Sequence, residues 1–189
     1  MIASPQSHRM TVDEYLAWEP CQEIRHEYCD GEVFAMSGGT VGHDALAFNF
    51  RQLLVDQVEK EGCHMSGSDV KVMVQDGLFF RYPDVSVSCD DEVRSDTTYY
   101  QSPKLIVEVL SNSTEKVDRD DKFHEYIQIP TLEEYVLVST KQMRVECFRR
   151  GEGRMWLYFA YQAGEIVEIA SMDVEFPIEK LYKNVVFTA

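Results

Sequence analysis

The chain has 189 residues, with 33 acidic against 18 basic side chains, a formal charge of −15 and a 44% hydrophobic fraction. That length is enough to bury a core without metal or disulfide staples and too short for two domains of usual size, and the composition excludes wholesale disorder. The acidic excess argues against non-specific nucleic-acid binding, which rests on cations meeting phosphate.

TVDEYLAWEP (Thr11 to Pro20) begins with a cap residue and places Glu14 three positions on, as a capping box would, predicting a short helix. Ile24 to Met36 sets two short runs around Asp30-Gly31, a dipeptide that favours a tight turn, and reads as a hairpin. From Asp44 to Glu61, Leu46, Phe50, Leu53, Leu54 and Val58 recur at helical spacing up to Gly62. The period then becomes two: Val70, Val72 and Val74 alternate with Lys71 and Met73, and Val85, Val87 and Cys89 alternate with Asp84, Ser86 and Ser88. LIVEVL (Leu105 to Leu110) is nearly continuous in apolar residues, as a strand covered on both faces requires. A helix over Asp118 to Ile129, closed by Pro130, precedes a strand over Glu134 to Ser139. Strands near Arg144–Arg149, Trp156–Tyr161 and Ile166–Ile169 and a short helix near Pro177–Tyr182 complete the chain. The order is helix, three strands, helix, strand, with a β-rich extension.

Met1 to Met10 has no apolar stretch of signal-peptide type, and no run of about 18 apolar residues occurs anywhere, so a soluble cytoplasmic protein without membrane attachment is expected. It is read as one domain over 1–189, with 1–10 a flexible N-terminal segment. The five cysteines, Cys21, Cys29, Cys63, Cys89 and Cys147, are an odd number, dispersed and without a CxxC pair. All five are read as reduced and structural.

Glu108 is the strongest chemical signal, because an ionised carboxylate inside an apolar strand costs several kcal/mol unless paired or bound to metal. Asp84, just after Pro83 at a strand's start, offers a second carboxylate. Two such acids on neighbouring strands would repel unless a cation sat between them, and Mg²⁺ typically takes one or two protein carboxylates. The other reading is a solvated Asp84 and a Glu108 paired with Arg or Lys. Lys122 shares a helix face with Asp118 and Tyr126; it either reaches the strand ends or forms an ordinary surface pair with Asp118.

Pro83-Asp84, Glu108 in LIVEVLSNST, DRDDKFHEYIQIP and LEEYVLVS together resemble the Uma-type endonucleases, a branch of the PD-(D/E)xK restriction-endonuclease-like superfamily. The resemblance runs from MTVDEYLAWE through EYCDGEVFAMSGGTVGH and GSDVKV to IEKLYKNVVF, nearly the whole chain. It implies an αβββαβ core with a mixed central sheet, an N-terminal helix plus hairpin and a β-rich C-terminal extension. It implies metal-dependent phosphodiester hydrolysis, with Mg²⁺ or Mn²⁺ held by Asp84, Glu108 and the Val109 carbonyl and assisted by Lys122. The superfamily's lysine two residues after the acid is replaced by Leu110, so the cation has moved from strand to helix. Glu27 matches the family as a further acid beside the metal or a solvated hairpin residue. His43 either touches substrate or is a satisfied core histidine, and Asp69, beside Lys71, lines the cleft or caps a turn. Lys71, Lys104, Lys116, Arg119 and Lys122 are candidates for a basic strip. DNA is the expected substrate and a homodimer the expected assembly; a non-catalytic binding module and a hydrolase of smaller phosphodiesters remain the competing readings.

Overall fold

The computed structural model of the chain describes residues 9–187; most of the segment expected to be flexible, residues 1–8, lies outside them. Helix α1 (Val12–Trp18) starts from a complete capping box, in which Glu14 N–H donates to Thr11 Oγ1 and Thr11 N–H donates to Glu14 at 2.8 Å. Strands β1 (His26–Cys29) and β2 (Glu32–Ala35) form the hairpin, and both turn residues, Asp30 at φ 43° and Gly31 at φ 89°, adopt the left-handed backbone that such a two-residue turn demands. Helix α2 (Val41–Glu61) begins three residues before the sequence reading, at a Thr40 cap whose hydroxyl accepts His43 N–H, and ends on left-handed Gly62.

Ten further strands follow along the chain: β3 (His64–Gly67), β4 (Lys71–Val74), β5 (Phe79–Arg81), β6 (Val85–Ser88), β7 (Tyr99–Tyr100) and β8 (Pro103–Leu110), then β9 (Glu134–Ser139), β10 (Arg144–Arg150), β11 (Trp156–Gln162) and β12 (Ile166–Ile169). Strand β13 (Val174–Pro177) and helix α5 (Ile178–Leu181) close the described chain. A six-stranded sheet runs in the order β11-β10-β9-β8-β6-β3, with β8 and β9 parallel and the other pairs antiparallel. A five-stranded sheet has the order β2-β1-β5-β4-β7, and β12 pairs with β13.

Strand β8 is the spine. Leu105, Val107 and Val109 face α2 and meet Leu46, Phe50 and Leu54, while Ile106 and Leu110 face the five-stranded sheet and pack with Val72, Tyr126 and Leu137. A third cluster joins Tyr15 of α1 to Tyr28, Val33 and Phe80. The β-rich C-terminal segment joins the α2 side through Val167, Ile169, Phe176 and Leu181.

Helix, three strands, helix, strand is therefore the order of the central layer, but its first strand is β3. The alternating Val70–Val74 segment belongs to the other sheet, as β4, where Val72 and Val74 reach one core and Met73 another. β3 (HMSG) has no apolar alternation because it is an edge strand with one neighbour. The expected helix over Asp118–Ile129 is two short ones, α3 (Glu115–Arg119) and α4 (Asp121–Tyr126), broken where Asp120 takes ψ −79°.

The cysteine reading also needs correction. Cys63 and Cys89 are disulfide-bonded, with Cα atoms 4.2 Å apart. His64 pairs with Ser88 in the β3–β6 ladder, so the residues one step beyond them stand opposite each other. Cys21, Cys29 and Cys147 are free, and Cys147 is buried as a small hydrophobe.

Candidate active site

Where β6 begins, Asp84 stands beside the C-terminal half of β8. Val85 pairs with Val107, and Asp84, one residue earlier, accepts the Val109 N–H at 2.7 Å. Glu108, 3% exposed, projects from β8 on the same face as Ile106 and Leu110. Lys122, 6% exposed, reaches it from α4 at 2.9 Å and also lies 3.0 Å from Asp118 and 3.6 Å from Glu27. Tyr126, one turn further, donates its hydroxyl to Glu108 at 3.1 Å. His43, in the first turn of α2, places Nε2 3.3 Å from Asp84. These groups open on a cleft of about 1730 Å³, lined by His43, Arg51, Asp84, Glu108, Asp118 and Lys122 among others.

The cluster carries more negative charge than its own cations offset. Burial lifts the Glu108 carboxyl well above its ordinary range; Lys122 opposes that, while Asp118 and Asp84 add to it. Burial alone would discharge Lys122, but Glu108, Glu27 and Asp118 outweigh it and hold the ammonium protonated. Burial likewise pushes Glu27 up, and Lys122 and Arg81 bring it below the usual glutamate value. His43 is raised: desolvation works against the imidazolium, and the hydrogen bond and attraction of Asp84, with a backbone bond to Val109, prevail.

Arg81 of β5 braces this arrangement. It grips Glu125 of α4 with two bonds, at 2.8 and 2.6 Å, and Glu27 of β1 at 2.9 Å. The helix carrying Lys122 is thereby tied to the hairpin carrying Glu27, whose other oxygen accepts the Tyr82 N–H. Asp118 is held from behind by Tyr135, whose hydroxyl donates to its carbonyl.

Of the residues singled out in the sequence, Asp84, Glu108, Val109, Lys122 and His43 converge on the cleft. Glu27 touches Lys122 from outside the cleft lining, in a part-buried pair with Arg81 rather than as a solvated hairpin residue. Asp69 is exposed at the rim, ion-paired with Arg25. Lys71, a candidate for the basic strip, lies outside the cleft lining: on β4 of the five-stranded sheet it is buried, 2.7 Å from Glu19 and between the rings of Tyr15 and Tyr82. Nor does a basic strip form, since Lys104 pairs with Glu61, and Arg119 with Glu115 and Glu146. The surface reading of the Lys122–Asp118 pair is also overturned, because Asp118 is 1% exposed. The structure adds Arg81 and Tyr126 to the site; Tyr126 has a sequence signal in its i, i+4 spacing from Lys122, and Arg81 has none.

Among the described residues, the group of three ligand-type side chains with mutually close donor atoms is Glu61, Cys63 and Cys89, whose sulfurs are bonded to each other. The cleft instead offers two carboxylates and a backbone carbonyl, all hard oxygen donors, in a cluster with surplus negative charge. That donor chemistry fits Mg²⁺ or Mn²⁺ better than a soft metal.

The mixed sheet flanked by α2 and α4, with acids at the ends of neighbouring strands, is the architecture of restriction-endonuclease-like nucleases. A solved structure described as a "putative nuclease belonging to DUF820", from Anabaena variabilis ATCC 29413, superposes with a TM-score of 0.76 at 15% identity, covering 94% of this chain and 99% of that one. Residues 12–178 match the model of the Uma2 family, described as "Putative restriction endonuclease", and the chain belongs to that family. Two uncharacterized proteins of Synechocystis sp. (strain ATCC 27184 / PCC 6803 / Kazusa) are similar over most of the chain. One, slr1290, is 34% identical over 95% of this chain and 94% of its own length; the other, sll1609, is 31% identical over 78% and 85%.

Proposed function

We propose that the protein is a Mg²⁺- or Mn²⁺-dependent endonuclease that hydrolyses DNA phosphodiesters in this cleft. The observation that carries the reading is the meeting of Asp84 and Glu108, from adjacent strands, with the buried ammonium of Lys122. Asp84, Glu108 and the Val109 carbonyl would hold the metal, which when bound polarises the phosphoryl oxygen and lowers the pKa of water. Lys122 keeps its proton among three carboxylates, so it presents fixed positive charge to the charge that develops on the phosphoryl group. Glu27 and Arg81 act through Lys122 by fixing α4. His43 donates toward Asp84 and orients its carboxylate. Calorimetric titration with Mn²⁺ tests the site: Asp84→Ala and Glu108→Ala should each abolish or greatly weaken binding, and unchanged binding in both would remove the metal from the proposal.

The assembly we propose is a homodimer. Strand β11 has one neighbour in its sheet, and Leu157, Tyr158 and Phe159 on it are 48%, 51% and 37% exposed, which supports an apolar contact with a second copy. A light-scattering mass of one 21.9 kDa chain across working concentrations would refute it. A second reading, a nuclease fold retained for binding alone, draws on the charge of −15 and on Leu110.

A further inference from the structure

One cation of the cleft is left over by the arrangement above. Arg51 lies two turns after His43 on α2, and His43, Ala47 and Arg51 form a single row, at i, i+4 and i+8, along the cleft wall. The side chain is half-buried, and its Nε is buried without a hydrogen-bond partner.

That isolation is exceptional in this chain. Arg81 is bound by Glu27 and Glu125, Arg119 by Glu115 and Glu146, Arg149 by Glu134 and Glu168, and Arg150 by backbone carbonyls. Among the described arginines that are not exposed, Arg51 is the one without an acid or carbonyl partner, although acidic side chains outnumber basic ones by 33 to 18. Burying part of a guanidinium unpaired is unfavourable, so a position that keeps one open to a cleft implies an anion that arrives from outside.

The strand side of the cleft leaves space for the group. Gly67, on the edge strand β3, faces it: a Cβ there would lie 3.0 Å from Arg51 NH1 and 3.7 Å from the Asp84 carbonyl oxygen. The guanidinium thus rests on the bare backbone of β3 at Gly67, which pairs with Val85, the residue after Asp84. A planar fork of donors in that position matches the oxygens of a phosphate.

We propose that Arg51 binds a phosphate group of the substrate strand next to the one that Asp84, Glu108 and Lys122 would address, fixing the register of the strand in the cleft. The assignment rests on the nuclease reading for its polynucleotide, but not for its phosphate. Two sources of that chemistry, a phosphodiester within a strand and free phosphate, are separated by the test.

Anisotropy of a fluorescein-labelled 20-base-pair duplex is measured with Ca²⁺ replacing Mg²⁺, at several salt concentrations. Arg51→Gln should weaken binding about tenfold or more and reduce the slope of log K against log salt by roughly 0.9, the value for one lost phosphate contact. Arg51→Lys, which keeps charge without the fork, should restore the slope and part of the affinity. Gly67→Ala, whose methyl would press on the guanidinium, should lower affinity several-fold with the slope unchanged, and it serves if Arg51→Gln fails to fold. Equal affinity and slope for wild type, Arg51→Gln and Gly67→Ala would overturn the assignment while leaving the nuclease reading standing. In parallel, melting is followed with added inorganic phosphate. If the wild type binds no duplex, yet phosphate raises its Tm and not that of Arg51→Gln, Arg51 is a phosphate site and the nuclease reading fails. If the wild type responds to neither duplex nor phosphate, or both proteins respond alike to phosphate without duplex binding, the Arg51 assignment fails too.

Discussion

Replacing Lys122 by Met keeps most of the buried aliphatic stem and removes only the ammonium. Three carboxylates lose a cation at 2.9, 3.0 and 3.6 Å, but not equally. Glu27 retains Arg81 and Glu108 retains the Tyr126 hydroxyl, whereas Asp118 has Lys122 as its charged partner. Breaking a buried pair from one side costs about 3–5 kcal/mol. At roughly 2–4 °C per kcal/mol for a domain of this size, Tm should fall by about 10 °C. The loss carries a pH signature. Without Lys122 the folded-state Glu108 carboxyl should rise further above its unfolded value, so the penalty is small where both states are protonated and grows as pH rises through and beyond the ordinary carboxylate range. Differential scanning fluorimetry at pH 5 and pH 8 should therefore show a wider gap between variant and wild type at pH 8. Mn²⁺ should narrow it, because a divalent ion supplies the missing charge. Cleavage measured well below the variant's Tm should fall by roughly 10²-fold or more. A Tm change below about 2 °C, the same at both pH values, would refute the reasoning, since it would mean that Lys122 is in water.

Three other outcomes follow from the same geometry. Burial raises the Glu19 carboxyl, but bonds from Lys71 and Tyr82 outweigh it and leave it below the usual range; its stabilisation is present above the unfolded glutamate value and lost as pH falls through the lowered one. Glu19→Gln should accordingly destabilise by about 3 kcal/mol at pH 7 and be less sensitive to acid in urea titrations run from pH 7 to pH 3. Reducing the Cys63–Cys89 bond, which spans 26 residues, should cost about 3.5 kcal/mol on the chain-entropy account, read as a Tm decrease in dithiothreitol that Cys63→Ser abolishes. Leu110→Lys, which would restore the superfamily lysine, places an ammonium where Leu110 is 3% exposed among Ile106, Val72 and Leu137, and should lower Tm by several degrees rather than improve cleavage.

The legible parts of this chain were those in which one local pattern has one structural meaning. LIVEVL could only be a strand covered on both faces, and an acid inside it had to be compensated; Lys122 now does so at 2.9 Å. Thr11 with Glu14 and Asp30 with Gly31 each encode a complete local motif, and both formed. Periodicity reports a face without saying which sheet that face joins: the Val70–Val74 alternation identifies a strand, and that strand lies in the five-stranded sheet, carrying Lys71 with it. β3 was invisible because an edge strand of His, Met, Ser and Gly buries too little to alternate. The disulfide escaped because Cys63 and Cys89 meet through the β3–β6 register, not through spacing along the chain. Asp118 illustrates the remaining limit: an i, i+4 pair looks the same in sequence on a wet surface and 1% exposed beneath Tyr135.

The central claim, a metal-dependent nuclease built on Asp84 and Glu108, is tested most directly by nicking of supercoiled plasmid. Wild-type protein with Mg²⁺ or Mn²⁺ should convert the plasmid to open-circular DNA, chelation with EDTA should stop it, and Asp84→Asn and Glu108→Gln, each folded by its melting curve, should be at least 10²-fold slower. Nicking at equal rates by wild type and both variants, or none by the wild type with either metal, would contradict it.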